Sequence, residues 1–83
     1  MLDRTQNELI VDDANGLNLT PREAEVFRLV SQGLANKVVA NQLGLREGTV
    51  KAHLHSIYRK LRIPNRARLV VIANQLDHLN SLR

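Results

Sequence analysis

The sequence predicts an all-α fold, a bundle of four helices. Apolar residues recur at three- and four-residue spacing in four separate segments, and Gly33, Gly44 and Pro64 punctuate the chain between them. No segment alternates apolar and polar residues with a strand period over a useful length. The chain has 83 residues and no cysteine, which leaves room for one domain with one modest core, held by helix packing without disulfides or thiolate metal sites.

Residues 1–18 show little sustained periodicity and run into the turn-forming stretch DDANG. Residues 1–15 therefore read as a tail or linker, and residues 16–81 as the folded domain. The first helix is announced at Thr20. Its hydroxyl can accept from the Glu23 backbone N–H while the Glu23 carboxylate reaches back to the Thr20 N–H, a capping box with Pro21 at the first helical position. Val26, Phe27 and Val30 follow at helical spacing, and Gly33 offers the left-handed residue that stops the helix near Gln32. Asn36 is placed to cap a short second helix with Val39, Ala40 and Leu43 inward, ended by Gly44. A third helix over about 47–61 carries Val50, Leu54, Ile57 and Leu61 on one stripe, and Pro64 forbids its continuation. Asn65 can cap a fourth helix over about 65–79, with Leu69, Ile72, Ala73 and Leu76 inward. The expected core is thus Val26, Phe27, Val30, Val39, Leu43, Val50, Leu54, Ile57, Leu61, Leu69, Ile72 and Leu76.

Charge is segregated along the chain. Residues 1–19 carry Asp3, Glu8, Asp12 and Asp13 against Arg4 alone, whereas residues 20–68 hold ten Lys and Arg against Glu23, Glu25 and Glu47. A basic segment behind an acidic leader suits a polyanionic partner. No apolar stretch approaches the roughly 18 residues that span a bilayer, and the acidic opening MLDRTQNELIVDD does not suit a signal peptide. The expectation is a cytoplasmic protein with no membrane partner.

A short helix, a turn on Gly44-Leu45 and a longer helix form the arrangement that inserts one helix into the DNA major groove. Glycine lets the chain reverse, while Leu45 can tuck under both helices. At about 100° per residue from Val50, the outward direction of the third helix collects Gly48, Ala52, His55 and Arg59, flanked by Lys51 and Arg62, with no acid. Small residues near its start permit close approach to base edges, Lys51 can reach guanine acceptors, and His55 can donate to a base or a phosphate.

Residues 19–70, LTPREAEVFRLVSQGLANKVVANQLGLREGTVKAHLHSIYRKLRIPNRARLV, resemble the LuxR/FixJ family of helix-turn-helix regulators. The resemblance rests on LTPRE, GLANK, LGL, GTVKAHL and YRKL together. It implies a four-helix LuxR-type bundle and a transcription regulator whose helix-turn-helix unit is residues 36–55. Double-stranded DNA is then the ligand, RNA polymerase a candidate further partner, and no cofactor, metal or small molecule is expected in this domain. By motif match Lys51, Ala52 and His55 fall at base-reading positions, with Lys37, Arg46, Thr49, Arg59 and Arg62 assigned to the DNA backbone. The fourth helix is implied to make a homodimer on an inverted-repeat site. Its outer side carries Ala67, Val70, Val71, Asn74 and His78, including two adjacent valines that the core stripe does not use. The sequence departs from the family pattern at Val38, where Glu is common, at Arg46, where Ser or Thr usually caps, and at Arg62, a frequent Gly.

Two other functional classes fit the residues less well. Enzymatic chemistry finds no support. His53 and His55 lie about 200° apart on one helix and cannot chelate one metal, while Ser31, Ser56 and Ser81 have no base and orienting acid nearby. The chain also lacks a phosphate loop. A helical protein-interaction module without DNA binding is the remaining alternative, and the acid-free face of the third helix speaks against it. The sequence leaves open whether it is a whole small regulator or the output part of a longer one.

Overall fold

Thr20 starts the first helix as its sequence requires. In the computed structural model, which describes the backbone of residues 17–81 and the side chains of residues 17–78, the Thr20 hydroxyl accepts from the Glu23 N–H at 3.1 Å and Glu23 accepts from the Thr20 N–H at 3.0 Å. Helix α1 spans Pro21–Ser31, α2 Asn36–Leu43, α3 Glu47–Leu61 and α4 Arg66–Ser81. No strand occurs among the described residues, and no helix there is long and apolar enough to cross a membrane. The expectation of a tail at residues 1–15 lies outside the described residues.

Helices α1, α2 and α3 end the same way. A residue with positive φ follows each, Gly33 at 90°, Gly44 at 68° and Arg62 at 57°. The N–H of the next residue then reaches back five positions, Leu34 to the Leu29 carbonyl, Leu45 to Ala40 and Ile63 to Tyr58. This is the Schellman arrangement, in which the left-handed residue turns the chain and two otherwise unpaired carbonyls are satisfied. The fourth helix begins as expected, with Asn65 Oδ1 accepting from the Arg68 N–H at 3.0 Å.

The second helix start corrects an expectation. Asn36 is not a cap but the first helical residue; Ala35 occupies the cap position in extended conformation, with no side-chain bond. Asn36 Oδ1 instead accepts from Arg66 Nη1 at 2.7 Å, and Arg66 Nη2 donates to the Leu34 carbonyl. The first residue of α4 is thereby latched to the loop and helix that open the helix-turn-helix unit.

Helix α1 packs against the other three, and α3 packs against both α1 and α2. Their shared core consists of Val26, Phe27 and Val30 from α1, Val39 and Ala40 from α2, Val50, Leu54 and Ile57 from α3, and Leu69 and Ala73 from α4. Leu43, Leu61, Ile72 and Leu76, expected inside, are partly buried at its margin. Leu19 and Ile63, outside every helical stripe, are buried instead. Both flank a helix end where the chain must fold back onto the core.

Candidate nucleic-acid interface

The turn between α2 and α3 sets the site. Gly44 is left-handed, and the Leu45 N–H donates to the Ala40 carbonyl at 2.8 Å. Leu45 is half-buried against the core, so the pivot between the helices is anchored from inside. Helix α3 then buries Val50, Leu54 and Ile57, which turns the opposite side of the same helix outward.

Lys51, Ala52, His55, Arg59 and Arg62 are all exposed on that outward side. A Cβ built on Gly48 meets nothing within 4 Å, so the start of the face is open ground. Arg46, at the cap position of α3, makes no side-chain bond to the helix end, which leaves the first-turn N–H groups without a side-chain acceptor. Thr49 in the first turn of α3 and Lys37 in the first turn of α2 are exposed as well.

The basic residues sort into two kinds. Arg22 pairs with Glu25 at 3.1 Å, Lys60 with Glu23 at 2.7 Å, and Arg66 is held by Asn36 and Leu34. The side chains of Lys37, Arg46, Lys51, Arg59 and Arg62, like those of Arg28 on α1 and Arg68 on α4, have no hydrogen-bond or ion-pair partner among the described residues. Cations tied into the fold are thus separate from cations left open to an outside anion, and the open ones include every Lys and Arg among the candidate contacts of α2 and α3.

The residues set aside for a two-fold contact also fall on the surface of α4. Ala67, Val71, Asn74 and His78 are exposed, with Val71 at 41%, while Val70 is half-buried and packs on the core margin. Val70 therefore lies at the edge of that surface rather than on it. Val38 is the other large apolar side chain exposed, at 39%.

The pattern of single residues missed the role of Glu23. Its carboxylate is buried, and besides capping α1 it accepts from the Ser56 hydroxyl at 2.8 Å and from Lys60 Nζ at 2.7 Å. Burial pushes its pKa up, but the hydrogen bonds from Lys60, the Thr20 backbone and Ser56, with the Lys60 charge, outweigh that and hold it below the ordinary value. The available signal was the i, i+4 spacing of Ser56 and Lys60 on the flank of α3, which faces α1.

Comparison with known proteins agrees with this geometry. A family model described as "Bacterial regulatory proteins, luxR family" matches residues 17–73. The nitrate/nitrite response regulator protein NarL of Escherichia coli (strain K12) is 39% identical over 57 residues, 69% of this chain and 26% of that protein. The transcriptional regulatory protein YdfI of Bacillus subtilis (strain 168) is 39% identical over 74 residues, 89% of this chain and 35% of that protein. Among solved structures, the response regulator StyR superposes with a TM-score of 0.68 at 40% identity, over 78% of this chain and 34% of its own. The chain spans about a quarter to a third of the length of these relatives. They are regulators of transcription and response rather than enzymes. With a helix-turn-helix on the surface, cations held open along it and a family match covering most of the described fold, the chain belongs to the LuxR family of bacterial regulatory proteins, a family of DNA-binding transcription regulators.

Proposed function

We propose that the chain is a sequence-specific DNA-binding module in which α3 is the recognition helix, lying in the major groove with Lys51, Ala52 and His55 against base edges. Lys37, Arg46, Thr49, Arg59 and Arg62 then contact the phosphate backbone. The observation that carries this reading is the outward side of α3, which holds cations whose side chains have no partner among the described residues, and no acid. A solvated helix surface ordinarily mixes the two signs; this one is complementary to a polyanion along its length.

Two copies are proposed to bind an inverted repeat through the α4 surface of Ala67, Val71, Asn74 and His78, with Val70 at its edge. So short a contact falls below the roughly 1,200 to 2,000 Å² of a stable complex, so the free chain is expected to be monomeric and to pair on its site. An isologous pair calls for a two-fold site.

The test is Lys51→Ala, titrated against a selected target duplex and a random one. Binding to the target should weaken by about 1 to 3 kcal/mol and sequence preference should relax, because a base contact carries discrimination and a phosphate contact does not. Equal losses on the two duplexes would remove Lys51 from the base edges.

A further inference from the structure

Glu23 is the one buried charged residue among the described residues, and it joins α1 to α3 at two points. Oε2 accepts from Ser56, while Oε1 accepts from both Lys60 and the Thr20 N–H. The carboxylate side chain is 7% exposed against 32% for Lys60, so the acceptor is buried while the ammonium stays open to water on one side. Such a bond is directional and strong compared with a neutral one.

Ser56 and Lys60 lie one turn apart on α3. Holding both to a single carboxylate fixes the rotation of α3 about its own axis and its shift along α1. The other groups meeting in the core are aliphatic or aromatic: Val26, Phe27 and Val30 on α1, Val50, Leu54 and Ile57 on α3. Apolar burial is non-directional, and cores of this kind lose a unique arrangement before they lose stability. On a helix whose side chains end about 5 to 6 Å from the axis, a rotation of about 20° moves an outward tip by about 2 Å. A hydrogen bond to a base edge does not survive such a displacement.

We propose that Glu23 is a positioning residue for DNA reading: through Ser56 and Lys60 it sets the rotation of α3, and so the sequence discrimination of a face it never touches. This rests on the assignment of base reading to the outward side of α3. Lys60 is accordingly a structural cation rather than a phosphate contact, and a change there that preserves the setting leaves discrimination intact.

The experiment separates holding the fold from aiming the helix. Replacing Glu23→Met, Ser56→Ala and Lys60→Met together exchanges this part-buried polar cluster for apolar groups; the Glu23 half of the α1 capping box goes with it, so the midpoint should drop modestly while Thr20 still caps the helix. The denaturation midpoint and the ratio of affinities for target and random duplex are measured on the 83-residue chain. The expected result is a folded protein whose ratio falls by about tenfold, the discrimination of roughly one good base contact. The Glu23 and Lys60 charges are lost together, so the net charge is unchanged, and any remaining electrostatic effect is common to both duplexes and cancels in the ratio. Lys60→Arg alone, which keeps donor and charge, should retain the parent ratio. A folded triple variant with the parent's ratio overturns the proposal. Should the triple variant not fold, Ser56→Ala decides, because it removes only the Oε2 bond: a smaller drop in the ratio supports positioning, and an unchanged ratio overturns it. Lys51→Ala run alongside tells the two failures apart, since it leaves discrimination unaltered only if base reading is not on this face.

Discussion

Arg62 holds a backbone conformation that glycine holds at the two comparable helix ends, with φ 57° against 90° at Gly33 and 68° at Gly44. A side chain there crowds the following carbonyl and costs about 1 kcal/mol relative to glycine. Arg62→Gly should therefore raise stability by about 1 kcal/mol, seen as a higher urea midpoint at unchanged slope. On the proposed interface the same change removes a cation and weakens binding to every duplex alike. A lower midpoint would mean that the arginine side chain itself secures the helix end. Glu23 gives a second expectation at this scale. Its pKa is lower in the folded chain than in the unfolded one, so its stabilising contribution is complete above the unfolded value, about 4.5, and disappears as pH falls through the lower folded value. Stability should decline below about pH 4.5, and Glu23→Gln should flatten that part of the profile. Urea midpoints collected across the acid range check this; an acid slope identical in the variant would place its origin in other carboxylates.

Among the elements, α3 was legible to the residue, because turn residues bracket a regular stripe: Glu47–Leu61 is what the spacing gives. The start of α2 was not, since Asn36 has the chemistry of a cap and nothing local reveals that Arg66, thirty residues on, takes its Oδ1. Leu19 and Ile63 escaped for a different reason. Periodicity scores residues inside helices, whereas Leu19 precedes a cap and Ile63 follows a left-handed residue. Both are positions where an apolar side chain folds back on its helix. Reading the helix ends for these contacts, as well as the stripes, would have found them. Helix α4 carries the prediction that belongs here. Val71 is 41% exposed and outside the core, so Val71→Asp should leave the denaturation midpoint within about 0.5 kcal/mol of the parent. On the proposed two-fold reading it should weaken binding to a full inverted repeat far more than to a half-site, because only the former would need two copies in contact. Unaltered cooperativity on the full repeat would move the two-fold contact away from α4.

For the molecule as a whole, composition announced a polyanionic partner but not which cations would meet it. That division depends on tertiary contacts: Lys60 and Arg66 look like any other base in the sequence, and folding commits both to intramolecular partners. The outward side of α3 was legible because one helix carries it, and so was the family, whose motifs span most of the domain. With two copies neutralising about six phosphates, log K should fall against log salt with a slope near −5. Titrations between about 50 and 200 mM salt measure it. A slope near zero would show that the uncommitted cations do not face phosphate.

The outward side of α3 also bears on how the domain can change. The side chains of Lys51, Ala52 and His55 hold up nothing: they are exposed, and make no hydrogen bond or ion pair among the described residues. Exchanges at such positions alter stability by only about 0.5 kcal/mol and add independently of changes in the interior. On the proposed reading, new operator preferences are open to selection or design by drift across three surface positions, through intermediates that all remain folded.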